Sequence, residues 1–475
     1  MNAVAENRAL QKRPPALRPP RRGSGALIAL AFALLLATVA AAAGPTIDEP
    51  GKLRLQQLFG ARVLSGPFVL DVQATVDSSI LIATSNIGNV GPAGASVAKL
   101  TPGLAPDAGF GGDGVIGPEE LGAADSQQSS ASALAVLDDG RILVAGMTGR
   151  PPAKPQLYVS RLLEDGALDP SFGDGGVRLL DPAASREQTR RDALALQPDG
   201  GIVLGFDIRG EDGRQIGLTR LSADGEIDQS FGEAGATLIP SKVLKPDLVG
   251  RDLPGYSSDA TYGYDVAADS EGRLAVVSSA RVKNRRLFAH VPAVVRLGTD
   301  GDLRKRGTTV LDRHPRSKRP GDWTLYATTV EFDALDRIVV GGGAGFAPDK
   351  GSRGRAFFAF HRLKATGRAD KTFGERGQSF VRVRPGDFET GAADLAFMGG
   401  KIIAVGQYAG ENPAGLLGST GLVRLRRNGR ADRGFGDLGV FLLRPNQDDG
   451  RAVAIDPQMR IIAAGAGRLT RLSSS

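Results

Sequence analysis

Three histidines and no cysteine in 475 residues leave this chain few routes to chemistry. Without a thiol there is neither a cysteine nucleophile nor a disulfide, so stability must come from packing. A three-histidine metal centre would consume every histidine present. His361 stands beside Arg362 in an alternating run, and His290 lies near the start of the equivalent run; both read as structural. The sequence lacks G-x-S-x-G, H-E-x-x-H and G-x-x-x-x-G-K-[ST]. The run from Gly341 to Gly345 (GGGAG) has no helix after it and reads as a strand end, not a phosphate loop. The stretches FGGDG and FGDGG lack the D-x-D-x-D-G spacing of a calcium loop. No metal and no cofactor is expected.

Two constellations remain. The first is a set of rings and cations in two long segments, 240–264 and 312–327. They hold Tyr256, Tyr262, Tyr264, Tyr326 and the single Trp, Trp323, together with Arg313, Arg316, Lys318 and Arg319. Aromatic faces beside guanidinium and ammonium groups can stack on sugars or hold an anionic polymer. The competing reading is that the rings pin long loops and the cations are solvated. Asp259, Asp265 and Asp322 are the nearest carboxylates, and their spacing identifies no acid and base pair. The second constellation is a basic residue followed eight positions later by Asp: Lys99 and Asp107, Arg161 and Asp169, Arg220 and Asp228, Arg362 and Asp370, Arg424 and Asp432. Across a hairpin this spacing brings the two side chains together, predicting a repeated ion pair on the outer strands. A solvated Arg and an Asp capping its own turn is the alternative.

A unit of roughly 60 residues, recurring seven times, must position these groups. Each unit opens with an alternating run (ALAVL at 133–137, ALALQ at 193–197). A tight turn and a second apolar run follow (RILVAG at 141–146, KIIAVG at 401–406), a pattern that reads as a hairpin. The third run ends in a basic residue and Leu, a pair kept in all seven units at Lys99, Arg161, Arg220, Arg296, Arg362, Arg424 and Arg471. These number the units 1 to 7 below. A turn such as Asp165-Gly166 or Asn428-Gly429 leads into a fourth run carrying Phe-Gly. Its rings (Phe59, Phe110, Phe172, Phe231, Phe373, Phe435) are expected between neighbouring units. Unit 4 departs, with RKRGTTVL at 304–311. Unit 7 stops after Arg471-Leu472, and the missing strand is expected at the other end, as QQLFGARVL (56–64). The expected fold is all-β: a seven-bladed β-propeller of four-stranded antiparallel blades, its ring closed by the N-terminal strand pairing into the last blade.

On the DGRILVAG-like hairpin, the RL-x-x-DG turn and the LD-x-SFG-x-G segment, residues 53–475 resemble the delta-60 repeat family. That resemblance implies an exported, propeller-like repeat protein and no shared catalytic activity.

The first 43 residues stand apart. A basic, proline-broken stretch leads into ALIALAFALLLATVAAAA, which reads as a signal peptide cut near Ala43; an uncleaved membrane anchor is the alternative. Residues 44–52 then form a linker and 53–475 the propeller. The leader carries six basic residues and Glu6, so +5 of the net +7 lies there and the remainder is near +2. Nucleic acid is therefore not an expected partner. Connections from the fourth run to the next first run, and from second to third, are long and unlike one another. In an antiparallel blade these two emerge on one face, which is where binding is expected. The reading is a monomeric, non-enzymatic binding scaffold exported to the periplasm, cell surface or medium. Its expected partners are a cell-envelope glycan, an anionic polymer or another protein, and membrane contact would come only through an uncleaved leader. The alternative is a hydrolase or lyase with its site at the central channel.

Overall fold

The computed structural model describes residues 47–54, 68–85, 94–123, 129–149, 156–180, 193–210, 213–240, 243, 257–283, 288–311, 323–346, 355–383, 389–412, 415–443, 450–465 and 467–473. Among them the chain is all strand and turn, with strands β1 to β28 in chain order and no helix. It is a β-propeller-class fold of curled antiparallel sheets.

Unit 3 shows the pattern in full. Strands β10 (Ala193–Leu196), β11 (Ile202–Gly210), β12 (Gly213–Leu221) and β13 (Ala236–Ile239) pair in sequence as one antiparallel sheet. Unit 4 repeats it with β14 (Ser257–Ala268), β15 (Leu274–Lys283), β16 (Phe288–Leu297) and β17 (Leu303–Val310). Units 1 and 2 are two such four-strand runs joined by one residue pair, Ser85 with Ser130, and units 5 and 6 are joined likewise by Gly343 with Gly391. In unit 7, β26 (Gly450–Ile455), β27 (Ile461–Gly465) and β28 (Arg468–Leu472) are completed by β1 (Ile47–Arg54), which pairs antiparallel with β28.

β1 falls largely in the stretch expected as a linker. Its register shifts between Ile47 and Lys52, around Pro50, which has no N–H to give to a ladder. The strand expected at 56–64, with Phe59, lies outside the described residues.

Second strands such as β7 (Ile142–Thr148) are buried along their whole length. Both of their faces meet neighbouring units, so the run is continuously apolar instead of alternating. The core is accordingly a series of apolar clusters between consecutive units. Phe110 and Val97 of unit 1 pack with Tyr158 and Leu162 of unit 2, and Phe231 of unit 3 packs with Val276 and Val295 of unit 4. A further cluster joins Ile462 and Leu469 of unit 7 to Ile82 and Leu100 of unit 1.

The Phe-Gly step explains how units dock. The Gly173 N–H donates to the Asp224 carbonyl in the next unit at 2.8 Å, and Gly232, Gly374 and Gly111 make the same bond to Asp300, Asn428 and Asp165. The preceding Phe172 ring covers Gly225 of that turn, where a Cβ would lie 2.9 Å from the ring and φ is +90°. Glycine is required there twice, for its left-handed backbone and for the ring above it. Unit 4 has no such Phe, and the Arg296 guanidinium occupies the corresponding place against Gly367. The ladder from β16 to β17 also loses register between Val295 and Leu297.

Candidate functional site

The innermost strands are β2 (Phe68–Ala74), β6 (Ser130–Val136), β10, β14, β18 (Trp323–Phe332), β22 (Glu389–Met398) and β26. All of them line one axial cavity of about 400 Å³. Its walls carry four carboxylates, Asp71, Asp265, Glu331 and Asp394, with Arg451 on β26.

Three of these acids are one device used three times. Counted back through the ladders from the basic residue of the third strand, Asp71, Asp265 and Asp394 share a register that Ala133, Ala193, Thr329 and Ala452 fill in the other units. Each Asp follows a bulge in its strand, which turns the side chain inward. Oδ1 accepts the N–H of the following residue, Val72 at 2.7 Å, Val266 at 2.9 Å and Leu395 at 2.8 Å. Oδ2 accepts an N–H from the inner strand of the next unit, Leu134 at 2.7 Å, Val330 at 2.9 Å and Val453 at 2.8 Å. Each carboxylate therefore ties its unit to the next.

Glu331 sits two residues further along its strand, in a register otherwise held by Gln73 and by alanines at 135, 195, 267, 396 and 454. Small neighbours leave room around it. Burial pushes the Asp71 carboxyl up to about 8; the charge of Asp394 and then of Asp265 adds to this against the Leu134 and Val72 N–H bonds. Burial, together with the charges of Asp265, Asp394 and Asp71, also raises Glu331 well above the ordinary glutamate range. Near pH 7 Asp71 thus keeps a proton that a free carboxyl would have lost. An Asp in mid-strand at one register of three units was the signal available in the sequence, hidden because the other units carry alanine or threonine there.

On the outer strands Arg161 Nε lies 2.7 Å from Asp169, Arg362 Nε 2.8 Å from Asp370, and Arg424 Nε 2.9 Å from Asp432. Arg220 pairs with Asp228, and Lys99 Nζ lies 3.4 Å from Asp107. Arg161 and Arg362 also cover the Phe172 and Phe373 rings of their own units, at 4.8 Å and 4.6 Å. The same basic residue reaches into the next unit. Lys99 donates to Glu164 O, Arg161 to Ala223 O, Arg296 to Ala365 O, Arg362 to Arg427 O, and Arg471 of unit 7 to Pro102 O of unit 1. Burial pulls Asp432 up, but Lys401 and Arg424 outweigh it and hold the carboxyl at about 2. Burial likewise opposes, and the Ser171 hydroxyl and N–H with Arg141 and Arg161 overcome it, for Asp169, which is also held low. Arg296 has no carboxylate partner among the described residues; burial and the nearby Arg304 lower its pKa.

Of the residues expected on the loop face, Tyr256, Arg313, Arg316, Lys318 and Arg319 lie outside the described residues. Tyr262 and Tyr264 fall in β14 and Trp323 opens β18, with only their backbones described. Tyr326 is half-buried, and its hydroxyl donates to Thr390 O of unit 6 at 3.3 Å, so this ring fastens two units together. His361 is buried, edge-on to Phe380 at 6.1 Å.

Residues 137–172 and 197–231 match the family described as a β-propeller domain of unknown function (DUF5122). A comparison with curated proteins gave no match. Among solved structures the chain is similar to a streptogramin B lyase, with 10% identity, 91% of this chain and 99% of that one covered, and a TM-score of 0.43. An ulvan lyase shares 10% identity over 86% of this chain and 94% of its own, with a TM-score of 0.44. The extracellular domains of Drosophila semaphorin 1a share 9% identity over 86% of each chain, with a TM-score of 0.40.

Proposed function

We propose that this chain is an exported seven-bladed propeller, closed into a ring, that works as a non-enzymatic binding scaffold. Closure is supported by the β1 to β28 pairing, by the apolar cluster between units 7 and 1, and by the Arg471 bond to Pro102 O, which repeats the bond between other consecutive units. The observation that carries the scaffold reading is the use of the axial Asp residues. Asp71, Asp265 and Asp394 each give one oxygen to their own strand and the other to the next unit. Their lone pairs serve the ring, and recognition of an envelope glycan, an anionic polymer or a protein falls to the variable-loop face. Trp323, at the start of β18, reports on that face. Its emission is expected to change saturably on titration with envelope glycans or anionic polymers, and Arg316→Ala is expected to abolish the change. An unresponsive Trp323 across the panel would defeat the loop-face assignment.

A second reading, a hydrolase or lyase acting at the channel, is favoured by the raised pKa of Asp71 and of Glu331 inside one cavity. A carboxyl whose pKa is raised, set beside further carboxylates, is an arrangement suited to acid and base work. Release of reducing or unsaturated sugar ends from polysaccharides, lost in Glu331→Gln, would establish that reading in place of the scaffold.

A further inference from the structure

The short-turn side of the molecule, opposite the variable loops, is divided by charge. Between the third and fourth strands unit 2 exposes Glu164, Asp165 and Asp174, and unit 3 exposes Asp224, Glu226 and Glu233; residues 162–176 and 221–235 contain no Lys or Arg. The same segments of units 4 to 6 are basic. Unit 4 presents Arg304, Lys305 and Arg306 in succession on β17, all exposed, where other units place Asp and Phe-Gly; they outnumber the exposed Asp300 and Asp302 of the preceding turn. Unit 5 adds Lys364 and Arg368, and unit 6 adds Arg427 and Arg430, again exposed. None of these seven side chains has an ion-pair partner among the described residues, whereas the third-strand basic residues of units 1 to 3, 5 and 6 each pair with Asp. The three turns are contiguous, because Arg296 bonds to Ala365 O of unit 5 and Arg362 to Arg427 O of unit 6. β17 is also long for an outer strand, at 8 residues against 4 in β9 (Val177–Leu180) and 4 in β13.

We infer that this arc of units 4 to 6 is a docking surface for a polyanionic glycan, a polymer bearing sulfate or carboxylate groups. Unpaired cations held on stiff turns raise the local anion concentration and lose little freedom on binding. Guanidinium groups match sulfate and carboxylate through paired N–H donors. The intervening residues, Ala365-Thr366-Gly367 and Asn428-Gly429, are small or polar, whereas the centre of a protein interface favours aromatic and apolar anchors. The acidic arc of units 2 and 3 repels the same polymer and confines it to one side. This surface is separate from the loop face, so it stands or falls independently of the scaffold reading above.

The test is binding of the full chain to immobilised heparin and to alginate, with salt elution, against the charge reversal Arg304→Glu/Lys305→Glu/Arg306→Glu. Wild type is expected to be retained. The reversal is expected to weaken binding by about tenfold or more and to flatten its salt dependence, with an unchanged circular dichroism spectrum. Arg427→Glu/Arg430→Glu, on the neighbouring unit, gives the same readout should the first variant fail to fold. Retention on heparin alone narrows the ligand to sulfate esters, and equal retention on both supports charge as the recognised feature. Elution of the folded variants at wild-type salt would overturn the proposal. So would salt-sensitive self-association lost both on this reversal and on Glu164→Gln/Glu226→Gln, since the occupant would then be a second copy of the chain.

Discussion

Asp169 on the outer part of unit 2 and Asp71 on the inner strand of unit 1 both accept backbone N–H bonds, yet they lie on opposite sides of the ordinary carboxylate range. Asp169 meets Arg161 and Arg141. Asp71 faces a cavity whose other charges include Asp265 and Asp394. Two backbone N–H bonds stabilise an anion, but in the channel they are outweighed by burial among like charges. On the rim a guanidinium reverses the balance. Local hydrogen bonding thus positions an Asp, while its neighbours across the cavity decide whether it holds a proton.

The largest expected effect breaks the rim side of this contrast. Asp169→Ala leaves the Arg161 guanidinium buried without its carboxylate, at a cost of about 3–5 kcal/mol in urea unfolding. Asp107→Ala, whose side chain is 27% exposed opposite Lys99, is expected to cost about 1 kcal/mol or less. Equal losses would remove burial as the distinction.

Next in size is the docking step between units. Gly225→Ala places a Cβ against the Phe172 ring at a backbone φ of +90°, for an expected loss of about 2 kcal/mol or more. A thermal melt unchanged from wild type would show that the turn relaxes freely.

The pH dependence of stability separates the two regions by sign. Between about pH 4 and 8 the folded channel holds a proton on Asp71 that the unfolded chain has lost. Stability therefore falls as pH rises through this window, by up to about 1.4 kcal/mol per pH unit for one group. Rim carboxylates such as Asp432, held at about 2, contribute stability that is complete above the unfolded value near 4 and is lost as pH falls toward 2. Asp71→Asn is expected to flatten the slope between pH 5 and 8 while leaving the acid limb intact. A neutral-range slope identical to wild type would show that Asp71 titrates normally.

The smallest effect is expected at unit 4. Arg296→Met removes a half-buried cation that has no carboxylate partner among the described residues, so stability should stay within about 1 kcal/mol of wild type or rise. A loss comparable to Asp169→Ala would mean that its two carbonyl bonds, to Ala365 and Arg306, carry the junction.

The repeat and the class of fold were legible because hairpin turns, the Arg-Leu pair and Phe-Gly are local signals that recur at one period. The meaning of Phe-Gly was only half legible. That its ring packs between units follows from apolarity, but that Gly232 bonds Asp300 of the following unit requires the next sheet in place. Unit 4 shows the converse. RKRGTTVL was visible as a departure, whereas the move of Arg296 into the space left by the missing ring was not.

For the axial site the division is sharper. A strand pattern states which residues face inward within one sheet. It does not state which strands from distant units share an axis, and Asp71, Glu331 and Asp394 are separated by hundreds of residues or by whole units. By itself the sequence determined the repeated sheet, its turns and the spacing that sets Arg161 against Asp169, all of which depend on contacts within about ten residues. Only the tertiary structure decided that four carboxylates would meet in one cavity and that Asp71 would keep its proton there. Proximity across the cavity and the loss of water are properties of the assembled units, not of any one of them.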